Sequence, residues 1–482
     1  MWIVYSLIGL VSVLMIVLVV RTLRFVPKVE EPVSYQDQSV DEKRIIASLQ
    51  AMIRFKTVSY KDKSLEDEKM FKDFREYLKT RYPLINQHAK YQEIGETGVL
   101  FTLKGKSNKH SVVLMSHYDV VPPNGEWQDD PFSGKIIKDR IYGRGTLDTK
   151  STLCAVMESV ESFLKEEKSF AFDLYLAFSG DEETRGPSAD AIVQHLKAQG
   201  VKPYLVLDEG GAVVEGVFPG VSKKAAMIGL AEKGYINLRV EASDPGGHAS
   251  TPKKETPITR LATAVKRLND GTIFKLKQTP ATMAMFDTIA RHSNSFINRL
   301  IFANLWLFWP LIRFQAKKSD GELLSLLHTT QAFTQMHGSE AMNVLPSKAS
   351  IGINYRILTH ETMDEVVEIV KRKVNMDNLS YQVLQGANPT TISRMDGSYE
   401  LLTKTIRKHW HDVVPTPYLM MAGTDSRYYH DISEHVYRFS PMTMTKEERA
   451  TIHSTEEAIQ VEALLHCVKF YRTLLEDLNT SL

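Results

Sequence analysis

Three hydrophobic runs along the chain end abruptly in polar residues. VVLMSHYDV (112–120), FDLYLAFSGDEE (172–183) and YLVLDEG (204–210) are apolar and β-favouring, then close in His, Asp or Glu. Runs of this kind read as strands of a parallel sheet buried on both faces. DEKRIIASLQAMIRF and MFKDFREYLKTRY instead carry helical spacing. Alternating strands and helices up to about Ala231 predict an α/β domain with a mostly parallel central sheet. From Glu232 to about Ala387 the pattern changes. GYINLRVEAS, a helix through TPITRLATAVKRL, a hairpin-like NVLPSKASIGINYRIL and a helix in DEVVEIVKRKV predict a small α+β domain inserted into the first. The predicted layout is therefore residues 42–231 and 388–482 for the main domain and 232–387 for the insert.

The amino terminus has a different pattern. Trp2 to Val20 is uncharged and dominated by Val, Leu and Ile, and about 20 such residues suffice to cross a bilayer. No Lys or Arg precedes the stretch, and Arg21, Thr22, Leu23 and Arg24 follow it directly. A cleaved signal peptide wants a positive start and small residues at its end, so residues 1–25 read as a single-pass membrane anchor. Pro27 to Asp41, rich in Pro, Glu, Ser and Gln, reads as a tether that completes 26–41. Arg21, Arg24 and Lys28 follow the span, which by the positive-inside rule places the rest of the chain in the cytoplasm. A second apolar stretch, LIFANLWLFWPLIRF (300–314), is too short and too proline-broken for another span. It reads as core of the insert or of a subunit interface, with a surface for a fatty acyl chain as the sharper alternative.

Charge excludes one class of partner. The 482 residues include 59 basic and 58 acidic ones, and this near-cancellation gives no electrostatic case for nucleic acid. The two cysteines, Cys154 and Cys467, lie in apolar helical patterns and read as buried thiols, not as a disulfide framework.

The polar residues that close the apolar runs carry the chemistry. His117 and Asp119 end the first run and Glu182 and Glu183 the second, while Asp208 lies in LVLDEGG. Asp148 in GRGTLDTK and His453 near the end add further donors. Singly, a His-x-Asp at a strand end is more often a surface or capping pair, and a Glu-Glu a solvated face. Together they supply nitrogen and oxygen donors for a two-zinc hydrolytic site, with spare carboxylates for acid/base work. Ligands at the carboxyl ends of parallel strands converge on the crevice where open α/β sheets bind. Alternation points His117 and Asp119 the same way, so Asp119 can orient the imidazole, whereas Glu182 and Glu183 diverge into one ligand and one base.

Beyond about Val40 the chain resembles the dinuclear zinc aminoacylase and carboxypeptidase family, most closely its carboxypeptidase S branch, which includes an enzyme of N-fatty-acyl amino acids. GEWQDDPFSGKI, IYGRGTLDTK, AEKGYINLRV, GGHASTPKKETPI, NVLPSKASIGINYR, AGTDSRYY and VYRFSPM carry the likeness besides the clusters above. The resemblance implies a zinc exopeptidase-like catalytic domain and an inserted lid/dimerisation domain. Asp148 would bridge two zinc ions, His117 and Asp208 completing one site and Glu183 and His453 the other, with cobalt or manganese as possible substitutes. Glu182 would be the general base and Asp119 the residue orienting His117. His248 would stabilise the oxyanion, in many dimeric relatives from the partner subunit. Arg356, with Asn343, Gly423 and Thr424, would hold the substrate carboxylate. The family commonly has Asp where this chain has Thr149, at a cis peptide. The implied activity is cleavage of the amide bond in peptides or N-acyl amino acids, or the reverse condensation. Every implied ligand and base position is filled, which argues against a retired, binding-only protein. Close relatives work in secreted or lumenal compartments, opposite to the side that the basic flank indicates.

Overall fold

The computed structural model describes residues 1–28, 33–35, 37–218, 220–271, 273–318 and 321–482. The expected tether over 26–41 lies partly outside them. The apolar runs become the middle of a nine-stranded sheet. Strand Ser111–His117 lies between Asp173–Ser179 and Leu205–Asp208, parallel to both, with Leu114 in register with Leu176 and Leu207. Val436–Arg438 continues the parallel set beside Leu205–Asp208. Towards one edge, Gly98–Leu103 and Lys90–Ile94 add antiparallel pairs; towards the other, Lys224–Glu232 runs parallel to Val413–Met420.

Helices seal this sheet because their apolar positions recur at helical spacing. Helix Glu42–Arg54 starts on Asp41, whose carboxylate accepts the Arg44 N–H at 3.0 Å, and buries Ile45, Leu49, Met52 and Ile53. Lys150–Lys165 and Val461–Ser481 pack together on the sheet and bury Cys154 and Cys467 as free thiols. The peptide between Asp148 and Thr149 is cis.

The insert builds a second, four-stranded antiparallel sheet in the order Thr330–His337, Lys348–Ile357, Gly234–Ser243, Leu379–Ala387. Alternation buries Ile351, Ile353, Tyr355 and Ile357 under helices Pro257–Asn269 and Met363–Val374. NVLPSKASIGINYRIL is not a hairpin. Val344–Leu345 pairs with Gly247–His248, and Lys348–Ile357 joins the larger sheet. Pro346, which has no N–H to donate, separates the two.

The helical part of the insert also departs from expectation. Leu276, Met285, Phe286, Ile312, Ala316 and Leu327 share a core with Met227 and Tyr418 of the main sheet. Helices Phe296–Ala303 and Leu305–Lys318, which contain the second apolar stretch, thus belong with the main domain and not with the core of the small one. The first helix, Trp2–Arg24, is long and apolar enough to cross a membrane, and only a small part of its surface touches the rest of the chain.

Candidate active site

Asp119 organises the site from below. It is fully buried, and its Oδ2 accepts the Ser59 hydroxyl at 2.7 Å. The same carboxylate accepts the backbone N–H groups of Glu182 and Glu183 at 3.2 and 3.1 Å, while its Oδ1 lies 3.3 Å from His117 Nδ1. The Asp119 carbonyl is 3.0 Å from the same nitrogen. One side chain therefore sets the imidazole's orientation and the position of the Glu182–Glu183 turn. Gly180 lets that turn form. A Cβ there would lie 2.5 Å from the buried Tyr118 ring.

The outward nitrogens and carboxylates converge in two groups that share Asp148. His117 Nε2 is 3.0 Å from Asp148 Oδ1 and 3.2 Å from Glu209 Oε1. His453 Nε2 is 2.9 Å from Asp148 Oδ2 and 3.1 Å from Glu183 Oε2. His453 reaches over the pair from a left-handed backbone position, φ 61°. The two oxygens of Asp148 thus face different histidines, as a bridging ligand's must.

One residue differs from the sequence reading. Glu209 stands beside His117, where Asp208 was expected. The Asp208 carboxylate points the other way and accepts the Ser426 N–H at 3.0 Å. Consecutive side chains at a strand end face opposite sides, so only one of the two can reach the crevice.

Burial and crowding make this an anion-rich pocket. Glu182 is pushed well above the carboxylate range, chiefly by burial. Glu183 and Glu209 are pushed to about 7 by burial and by the nearby Asp148. Hydrogen bonds to Asp148 and Glu183 raise His453 to about 10. Burial opposes charge on His117, yet Glu209, Asp119 and Asp148 still pull its pKa well up. Glu183 Oε1 is buried with no hydrogen-bond partner. Mixed imidazole and carboxylate donors, an orphaned buried carboxylate oxygen and crowded carboxylates fit a pair of divalent cations.

Beside the donor group the surface is cationic. Arg356 pairs across the small sheet with Tyr235, and burial and the charge of Arg185 lower its pKa. Arg185, two residues after Glu183, stacks over Tyr235 at 3.6 Å. Arg356 thus belongs to a guanidinium pair beside the acidic turn. Thr424 is buried, its hydroxyl donating to Glu232 Oε1 at 2.9 Å, and Gly423 adjoins Glu232 and Arg427. His248 and Asn343 lie elsewhere, on the exposed ribbon of the insert. His248 Nδ1 is 2.7 Å from the Ser250 hydroxyl, and the Asn343 carbonyl accepts the Ala249 N–H at 3.0 Å. Among the described residues, neither touches the metal-binding group.

Glu457 escaped the sequence reading. It is fully buried and accepts the N–H groups of Gly145, Leu147 and Asp148 at 3.1, 2.7 and 3.1 Å. Nothing local marks it, since its partners are more than 300 residues away. Glu209 was within reach of the sequence, being the other acid of the same pair.

Comparison with known proteins agrees with this geometry. Residues 113–477 match the model of peptidase family M20/M25/M40. N-fatty-acyl-amino acid synthase/hydrolase PM20D1 of Xenopus tropicalis is 32% identical, over 98% of this chain and 94% of its own. Probable carboxypeptidase S-like 2 of Dictyostelium discoideum is 31% identical, over 96% and 92%. The fold is similar to that of the M20 family metallo-carboxypeptidase Sso-CP2 from Sulfolobus solfataricus, with TM-score 0.67 and 15% identity over 92% of this chain and 100% of that one.

Proposed function

The chain belongs to peptidase family M20/M25/M40 and is a metallohydrolase of amide bonds; from that premise we propose a membrane-anchored dizinc enzyme that releases an amino acid from a peptide or an N-acyl amino acid. The observation that carries this reading is Asp148, whose two oxygens face His117 with Glu209 on one side and His453 with Glu183 on the other. These five residues would hold the metal pair. When bound, zinc supplies Lewis acidity towards a carbonyl and a water acidic enough to act near neutral pH.

The remaining roles fall to the chain's own groups. Glu182 is buried among the donors, and its raised proton affinity suits a group that takes a proton from the attacking water and returns it to the leaving amine. Asp119 keeps His117 in one tautomer by accepting its Nδ1 proton and holds Glu182 in place through its backbone. Arg356 and Arg185 present guanidinium groups that pair with the free carboxylate of the amino-acid half of the substrate. His248 and Asn343 complete the oxyanion and carboxylate contacts only if the ribbon closes or a second subunit supplies them, and a dimer provides the second route. Condensation uses the same groups in reverse, its direction set by concentrations. The apolar helix Trp2–Arg24 is the anchor.

The test is hydrolysis by the full, zinc-loaded chain in detergent, comparing long-chain N-acyl amino acids with blocked dipeptides and using Glu182→Ala as control. Preference for the acyl substrates assigns an N-acyl amino acid hydrolase, and preference for dipeptides a carboxypeptidase. Absence of Glu182-dependent turnover of either overturns the proposal.

A further inference from the structure

The helix pair Phe296–Ala303 and Leu305–Lys318 stands against the end of the first helix. Arg21 donates to the Ala303 carbonyl at 2.9 and 3.2 Å, and Asn304 Nδ2 reaches the Leu18 carbonyl and the Thr22 hydroxyl, each at 3.4 Å. Leu18 and Thr22 are the buried residues of the first helix. The corner between the two later helices is therefore fixed at a known level along the first. That helix has 23 residues and rises about 35 Å, against an apolar layer about 30 Å thick. Little of it is spare. Leu18 lies one turn before Arg21, where the apolar stretch gives way to charge, so the corner at Asn304 lies at the boundary between acyl chains and headgroups.

The exposed side chains of the second helix match that placement. Near the corner they are apolar: Trp306 is 58% exposed, and Leu307 and Leu311 are exposed as well. Towards its end the exposed residues are Arg313, Gln315, Lys317 and Lys318 together with Phe314, which is 57% exposed and has Lys318 over its ring at 4.5 Å. A helix that is apolar at the deep end and gathers basic residues around Phe314 at the shallow end enters a leaflet obliquely, burying Trp and Leu among acyl chains and setting Lys and Arg at the phosphates. Exposed apolar surface of this extent needs an occupant. Continuity with the first helix and the basic end both select the lipid.

We propose that the corner of this helix pair, led by Trp306, is a second membrane contact that inserts into the leaflet where the first helix ends. It rests on the reading of Trp2–Arg24 as an anchor. It also gives the catalytic domain a fixed attitude, because helix Pro280–Ala290, which packs with this pair, lies against strand Val413–Met420 of the main sheet.

The experiment uses the full chain, whose Cys154 and Cys467 are buried, with one added cysteine carrying an environment-sensitive fluorophore. The positions are Leu10→Cys in the first helix, Trp306→Cys, and Leu65→Cys, an exposed apolar site on the main domain. Each is reconstituted into phosphatidylcholine–phosphatidylserine vesicles containing lipid with a nitroxide high on the acyl chain. Loss of most fluorescence at Leu10 and Trp306 but not at Leu65 is expected. Quenching at Leu10 without quenching at Trp306 overturns the second contact and leaves the anchor standing, as would happen if another copy of the chain covered the corner. Quenching at neither overturns both.

Discussion

Arg144 and Glu457 are fully buried, far apart in sequence, and joined through Arg144 Nη1 and Glu457 Oε2 at 2.6 Å. The same Oε2 also accepts the Gly145 amide, and Oε1 accepts the amides of Leu147 and Asp148. A residue from the last part of the chain therefore fixes the loop that presents Asp148, the carboxylate shared by both donor groups.

Replacing Glu457 with Ala leaves a buried guanidinium unpaired and three amides without an acceptor. A loss of about 3–5 kcal/mol follows from breaking such a pair on one side. Metal affinity falls about 10- to 100-fold because Asp148 loses its backbone anchor. Chemical denaturation and zinc competition with a chelating dye check the two effects separately.

Glu182→Gln keeps the volume of the side chain and removes its ability to accept a proton. Turnover falls by a factor of about 10²–10⁴, with zinc content per chain unchanged by elemental analysis. A variant that loses metal together with activity would instead make Glu182 a ligand.

Asp208 and Glu209 are separable by the same assay. Glu209→Ala removes a donor from the group around His117, so one of the two metal ions is lost or weakened. Asp208→Ala deletes the acceptor of the Ser426 amide. It keeps both ions and lowers stability by about 1–3 kcal/mol for a buried amide left unsatisfied, read as a lower midpoint of denaturation.

Acid sensitivity has an identifiable source away from the metal donors. His409 is lowered to about 3, first by burial and then by His466 and Lys408. The folded chain keeps it neutral while the unfolded chain protonates it below about 6.5. Its contribution is therefore complete above that value and is lost as pH falls towards 3. Each such group makes stability drop by about 1.4 kcal/mol per pH unit in that window. His409→Gln should have a shallower slope between pH ~6.5 and ~5 in urea titrations, by about one proton.

The sequence by itself determined the strands that carry the site and most of the donor types. Apolar runs long enough to be buried on both faces, each ending in His, Asp or Glu, mark the carboxyl edge of a parallel sheet wherever they occur. His117, Asp119, Glu182 and Glu183 were legible for that reason, Asp148 and His453 as further donors outside those runs, and the structure gathers them. The change of pattern at GYINLRVEAS and NVLPSKASIGINYRIL likewise marked strands beyond the first domain, although the second is not the hairpin it resembled. Tertiary structure decided the rest. Whether Asp208 or Glu209 faces the crevice depends on how the chain leaves strand Leu205–Asp208, which adjacent acids do not encode. Glu457 becomes important only through amides and a guanidinium brought from more than 300 residues away. The apolar stretch near Trp306 has a helical composition that fits a domain core, an interface or a membrane surface equally well. Its place was set by Arg21 donating to the Ala303 carbonyl and Asn304 to the Leu18 carbonyl of the first helix. Periodicity reports which residues are buried; which partner buries them is a long-range property of the folded chain.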